Sequence, residues 1–167
     1  MKADQLFENT KGRLFSYLVR ATGDYSLSED ILQETFTRFM ARYDGNDNAP
    51  SLLFTIARNA LIDHRRKARR TTALAREVED DSCDTATRFL IKEQYARVLD
   101  AIQRLPEDDR DVLSLVVSGD LTYAEIARVL GMSEAGVKVR VHRARCRLRE
   151  IIKGGQDERR VDKPVHR

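Results

Sequence analysis

Lys138, Arg140, Arg143, Arg145, Arg147 and Arg149 place six cations and no acid between positions 138 and 149. Their chemistry is recognition: guanidinium and ammonium N–H groups bind phosphates and the edge of guanine, and make or break no bond. A second group, Arg58, Arg65, Arg66, Lys67, Arg69 and Arg70, has Asp63 as its only acid. Between the two lie Glu77, Glu79, Asp80, Asp81 and Asp84, with no base from 77 to 84. The totals, 30 Lys+Arg against 27 Asp+Glu in 167 residues, leave a net charge of only +3 and conceal this segregation. One cationic run reads equally well as a solvated helix face. Two runs, each following an amphipathic segment, favour two contacts with a polyanion.

Other chemistries find less support. Cys83 and Cys146 are the only cysteines, and His142, four residues before Cys146, is the only companion at chelating spacing. Two ligands do not close a zinc site, so the expectation is two reduced structural thiols, with no metal and no cofactor. The adjacent acids Asp80-Asp81 and Asp108-Asp109 diverge in direction if helical and have no His or Cys constellation beside them. They read as linker solvation and helix entry, and no catalysis is expected of the chain itself.

The elements that must carry the cations are helical. Leu6, Phe15, Leu18 and Val19 mark one amphipathic helix, interrupted at Gly23-Asp24. Ser28 is the expected N-cap of the next, with the stripe Ile31, Leu32, Thr35, Phe36, Phe39, Met40 and Tyr43. Its opposite face, Asp30, Gln33, Glu34, Thr37 and Arg38, is either solvated or docks a basic partner. Residues 44–50 form a loop on composition, and Ser51 caps a helix through Leu52, Leu53, Ile56, Ala57, Ala60 and Leu61 that runs into the first cationic group. Basic residues suit a helix C-terminus, but six exceed what capping requires. Beyond the acidic stretch, Leu90, Ile91, Tyr95, Val98, Leu99 and Ile102 mark a helix stopped by Pro106, and another spans Glu107 to Val117.

The second cationic group belongs to a helix-turn-helix. Thr122 and Glu125 have capping-box spacing, Ala124, Ile126, Ala127 and Leu130 give a short buried stripe, and Gly131-Met132-Ser133 makes the turn. Ser133 caps the next helix, whose inward positions are Val137 and Val141. Lys138, Arg140, His142, Arg143 and Arg145 then occupy its other faces, and a helix of about 10–12 Å diameter fits the DNA major groove. A helical hairpin with a merely basic surface is the simpler alternative; the capped helix, glycine turn and capped cationic helix together argue against it.

No apolar run approaches the roughly 20 residues that span a bilayer, and the first residues lack the apolar stretch of a secretory signal, so a cytoplasmic protein without membrane insertion is expected. The expected fold is all-α: two small helical domains, 1–70 and 89–153, joined by a flexible acidic linker, 71–88, and followed by a disordered tail, 154–167. With 41% hydrophobic and 34% charged residues, a single large apolar core is not expected.

Four motifs in order resemble the extracytoplasmic-function (ECF) sigma factors of RNA polymerase, minimal members of the sigma-70 family. They are Ser28-Glu29-Asp30-Ile31-Leu32-Gln33-Glu34-Thr35-Phe36, Ile56 to Arg66, Leu105-Pro106-Glu107, and Leu121-Thr122-Tyr123-Ala124-Glu125-Ile126-Ala127 with Val137 to Arg145. The resemblance covers about Leu6 to Ile152 and implies a promoter-specificity subunit with regions 2 and 4. It makes Asp30, Gln33 and Glu34 contacts to the clamp helices of the largest core subunit. Asn59 and Asp63 match a pocket for a flipped base of the minus-ten nontemplate strand, with Arg65 and Arg66 in the cluster that holds its phosphates. Lys138, Val139, Arg140, His142 and Arg143 face the minus-thirty-five duplex. Further implied partners are the flap of the second-largest subunit and an anti-sigma factor, and the linker would thread toward the active-centre cleft.

The chain departs from the family at several positions. Leu52 stands where a Trp is frequent, Ala49 is near a usual aromatic, Val139 replaces a frequent Ser and Gly136 a frequent Thr. Val139 can touch a thymine methyl and cannot donate a hydrogen bond, so a different minus-thirty-five preference is expected. A stand-alone helix-turn-helix regulator is the alternative, and it leaves the acidic face of the Ser28 helix and Asn59/Asp63 without a role.

Overall fold

A computed structural model describes residues 3–41, 49–71, 86–119 and 121–161, and every regular element among them is a helix. α1 (Ala3–Thr22) ends at Gly23, whose φ of +75° turns the chain and whose N–H donates to Val19 O at 2.8 Å. Asp24 caps α2 (Tyr25–Met40), its Oδ1 accepting from Leu27 N at 2.9 Å. Ser28, the expected cap, instead lies inside α2, buried, with its hydroxyl donating to Asp24 O. Asp24 supplies the cap one turn earlier.

α3 (Ala49–Thr71) likewise starts ahead of the expected Ser51. Pro50 sits in its first turn, where a missing N–H interrupts no helical bond. Ser51 is buried and its carbonyl accepts from the Thr55 hydroxyl. These three helices pack together around Leu14, Tyr17, Leu18, Ile31, Phe39, Leu53, Phe54 and Leu61, all fully buried or nearly so. The Tyr17 and Phe54 rings meet edge-on at 5.6 Å.

α4 (Ala86–Gln103) lies against α1 and α7 (Glu134–Val161). Its expected apolar stripe is only partly inward: Ile102 is buried, Leu99 half-buried, and Tyr95 and Val98 face solvent. α5 (Glu107–Ser118) is the central strut, packed on α1, α6 (Tyr123–Leu130) and α7, while α3 also meets α6. Asp109, Asp111, Val112, Leu113, Ser114, Leu115 and Ser118 of α5 are all buried. A helix covered on most of its circumference can serve two neighbours at once.

The expectation of no single core is therefore corrected. Buried side chains of α1 to α3 and of α5 to α7 form one connected cluster. Of the expected tail, residues 162–167 lie outside the described residues and residues 154–161 are helical, because α7 continues past Gly154 to Val161. Its Lys, Gln, Glu and Arg are good helix formers, and each interior glycine costs only about 1 kcal/mol. The expected loop at 44–48 and the acidic segment Glu77 to Asp84 lie outside the described residues.

Candidate nucleic-acid interface

Local chemistry builds the α6–turn–α7 unit. Thr122 Oγ1 accepts from Glu125 N, and Glu125 Oε2 accepts from both the N–H and the hydroxyl of Thr122 at 2.7 Å, completing the capping box. The Thr122 backbone N–H and then its hydroxyl hold the Glu125 carboxyl below its ordinary range. Gly131 takes φ +66°, its N–H donates to Arg128 O, and Met132 N donates to Ala127 O at 2.9 Å, so the last carbonyls of α6 are satisfied. Ser133 Oγ then accepts from Gly136 N at 3.1 Å and caps α7.

Val137, Val141 and Ala144 are buried against this unit, which fixes the rotation of α7. Lys138, Val139, His142 and Arg143 consequently point outward, with Val139 58% exposed. Arg140 is half-buried, its guanidinium 3.2 Å from Asp108. Lys138 is held by Glu134 at 2.8 Å, a hydrogen bond that raises its pKa. Met132, Ala135, Gly136, Val139, Arg140 and Arg143 line a concavity of about 370 Å³ at the start of α7. A Cβ at Gly136 would come within 3.1 Å of both Met132 Cε and Ser133 Oγ, so glycine keeps the capping hydroxyl uncrowded.

On the other unit, Asp30 and Gln33 are exposed and Glu34 is half-buried. Spacings of three and four residues set them on one face of α2. Glu34 accepts from Arg38 at 2.5 Å and lies 3.3 Å from His64 Nε2; Arg38 also reaches Asp63 at 3.9 Å. Arg38 thus links one expected core-contact residue to one expected base-pocket residue. Asn59 is exposed and Asp63 partly so, one turn apart on α3, and Arg66 is exposed.

Arg65 is placed differently. It stands two positions after Asp63, on another side of α3, and is only 17% exposed. Its Nη1 donates to Glu107 Oε1 at 3.0 Å and Asp111 Oδ1 at 3.1 Å, and its Nη2 to Ala21 O at 2.9 Å and Asp111 Oδ1 at 3.1 Å. Arg69 holds the second oxygen of Glu107 at 2.5 Å, and Arg58 lies 3.9 Å from Asp111. Burial pushes the Asp111 carboxyl above its ordinary range, against the pull of Arg65 and Arg58.

The same short stretch of α5 reaches the other cationic group. Besides Asp108 on Arg140, Asp109 pairs with Arg147, and Asp109 is buried. The expectation that Asp108-Asp109 serve only helix entry is corrected: both hold arginines of α7. The signal in the sequence is an acidic run at 107, 108, 109 and 111 opening a helix whose apolar residues cover more than one face.

Among the described residues no group of three His, Cys, Asp or Glu side chains could hold a metal ion, and no helix is long and apolar enough to cross a membrane. Cys146 is a half-buried free thiol.

Models of sigma-70 region 2 and of sigma-70 region 4 match residues 6–71 and residues 95–148. Regions 2 and 4 in that order define the class as a sigma-70-type factor. The ECF RNA polymerase sigma factor EcfG of Rhodopseudomonas palustris is 32% identical over 83% of this chain and 78% of that protein. SigL of Mycobacterium tuberculosis, also an ECF sigma factor, is 32% identical over 86% and 85% respectively. SigM of Bacillus subtilis is 29% identical over 95% and 99%. The sigma factor RpoE of Bartonella quintana, solved in complex with the anti-sigma factor NepR, shares the fold at a TM-score of 0.73, with 24% identity over 90% of this chain and 96% of that one. The chain belongs to the ECF RNA polymerase sigma factors. It is a transcription initiation factor, and the reading as a stand-alone regulator is not favoured, since it leaves the region 2 match over residues 6–71 without a role.

Proposed function

We propose that residues 1–70 and 89–153 act as two promoter-reading domains of a polymerase specificity subunit, linked by residues 71–88, and that core polymerase supplies all catalysis. Asp30, Gln33 and Glu34 on α2 dock the clamp helices of the largest subunit, and the region 4 domain meets the flap of the second-largest. Asn59 and Asp63 read an unstacked base of the minus-ten nontemplate strand, with Arg65 and Arg66 on its phosphates. Lys138, Val139, Arg140, His142 and Arg143 read the minus-thirty-five duplex. The site of action is the cytoplasm.

The observation that carries this reading is the presented face of α7. Lys138, Val139, His142 and Arg143 are all exposed, while Val137 and Val141 between them are buried. An anti-sigma factor is the proposed inhibitor, a reading supported by the RpoE–NepR complex of the relative; co-purification from the native host tests it. Holoenzyme reconstituted with the chain is expected to give promoter-dependent transcripts. Gln33→Ala with Glu34→Ala is expected to lose core binding while duplex binding by α7 persists. Absence of any promoter-dependent transcript would sink the reading.

A further inference from the structure

We propose that the start of α7 carries an apolar notch, formed by Met132, Ala135, Gly136 and Val139, that reads the C5-methyl group of a thymine in the upstream promoter element. The inference rests on the proposed minus-thirty-five role of α7 and names the base, and the group on it, that this helix selects.

Rotation sets what faces the groove. At roughly 100° per residue, Val139 stands opposite the bisector of Val137 and Val141, the buried residues that seat α7 on the rest of the fold. Val139 therefore points straight away from the protein, and Ala135, one turn earlier on the same face, is exposed as well. The basic residues stand to either side. Lys138, His142, Arg145 and Arg149 recur at i, i+4, i+7 and i+11 along one flank, all exposed. On the other flank Arg140 is drawn to Asp108 at 3.2 Å and Arg147 to Asp109. A helix laid in the major groove with this rotation gives its flanks to the phosphates and its centre to the base edges.

The chemistry of that centre admits one base. In the major groove only thymine offers an apolar group, whereas guanine, adenine and cytosine offer hydrogen-bonding atoms. The side chains of Ala135 and Val139 have no donor or acceptor, and Gly136 has no side chain at all. A polar edge pressed beneath them loses its water with no bond in exchange, while a methyl group gains from the same desolvation.

Shape agrees with chemistry. Met132, Ala135, Gly136 and Val139 line, with Arg140 and Arg143, the concavity of about 370 Å³ at the start of α7. Gly136 keeps it open, since one added carbon there would already meet Met132 Cε and Ser133 Oγ at 3.1 Å. Arg143, exposed at its edge and one turn after Val139, is free to take the O6 and N7 acceptors of a guanine. One turn is about 6 Å along the helix, against about 3.4 Å per base pair, so the guanine lies within two base pairs of the thymine.

The test uses holoenzyme reconstituted with the full chain, which first selects promoters from a duplex pool randomised across the upstream element. The selected duplexes are expected to share a thymine within two base pairs of a guanine. Replacing that thymine by 2′-deoxyuridine deletes the methyl group and keeps the base pair. Holoenzyme binding is expected to weaken about three- to fivefold, the contribution of one buried methyl, and to stay unchanged when other upstream thymines are replaced. Val139→Ser is expected to bind the thymine and uracil duplexes alike, and Val139→Ile to keep the preference; the position is exposed, so both variants fold. Equal binding of the two duplexes by the wild type overturns the proposal, and so does a preference that survives Val139→Ser. Selected promoters without a shared upstream thymine overturn it too. Failure to select any promoter is a different result, because it removes the minus-thirty-five role of α7 itself.

Discussion

The two cationic helices α3 and α7 carry similar charge in sequence and present it differently. At the end of α3, Arg65 is folded inward onto Asp111 and Glu107, and Arg69 is drawn onto the same Glu107. On α7, Asp108 and Asp109 take Arg140 and Arg147, both on one side, and leave Lys138, His142 and Arg143 facing solvent. A third helix decides the difference. The cations a sequence contains and the cations a surface offers are therefore separate quantities, and α5 sets the second.

The largest way to break the comparison is to unseat α3. Phe54→Ala removes a fully buried ring packed on Tyr17, and is expected to cost about 3–5 kcal/mol in urea unfolding. Because one buried cluster joins α1–α3 to α5–α7, unfolding should remain a single transition. Two well-separated transitions would show that the α1–α3 and α4–α7 cores hold independently, and that the contact with α5 adds no cooperativity.

Removing one presented cation sharpens it. Arg143→Ala is expected to weaken binding of the free chain to minus-thirty-five duplex by about 1–3 kcal/mol and to reduce the salt slope by about one. Arg65→Ala, acting on a side chain already engaged within the protein, should leave duplex binding by α7 nearly unchanged. Equal losses in the two variants, measured by anisotropy over a salt series, would erase the distinction between sequestered and presented charge.

Two glycines separate the seam from the turn. Gly23 and Gly131 both have positive φ, so an alanine at either is expected to cost about 1–2 kcal/mol for the backbone alone. At Gly131 an added Cβ meets nothing, whereas at Gly23 it would lie 2.9 Å from Gln103 Cδ. Gln103 donates to Arg20 O at 2.7 Å and accepts from Arg110 at 3.0 Å, so its displacement loosens the join of α1 to α4 and α5. Thermal unfolding should place Gly23→Ala below Gly131→Ala; the reverse order would mean that Gln103 moves aside without loss.

What was legible in the sequence follows from range. The α6–turn–α7 unit was legible because each of its determinants, the Thr122/Glu125 box, the turn at Gly131 and the Ser133 cap, bonds to a partner no more than five residues away. The inward Val137 and Val141 follow from the helical period alone. Leu14 and Tyr17, both fully buried, were missed although they stand three residues apart on the face of α1 that packs on α3. The role of Glu107, Asp108, Asp109 and Asp111 was invisible because their partners stand some 30 to 46 positions away, as with Arg65 and Asp111, and no periodicity records a pairing at that distance. Ser28 and Ser51 misled as caps because Asp24 and Pro50 begin their helices earlier.

The smallest effect tests whether the presentation of α7 is set locally. Thr122→Ala deletes the hydroxyl that accepts from Glu125 N and donates to its carboxylate, and is expected to cost about 1 kcal/mol at neutral pH. Glu125 has its carboxyl pKa depressed in the folded state, so its contribution is present above the ordinary glutamate value of about 4.3 and disappears as the pH falls through the lower folded value. The gap between wild type and Thr122→Ala should therefore narrow in acid, leaving only the cap to the Glu125 amide. A gap independent of pH would place the whole effect in that amide bond. Either way the change should leave Arg65 and α5 undisturbed, because α3 is restrained by contacts distant in sequence while the start of α6 is restrained by its own neighbours.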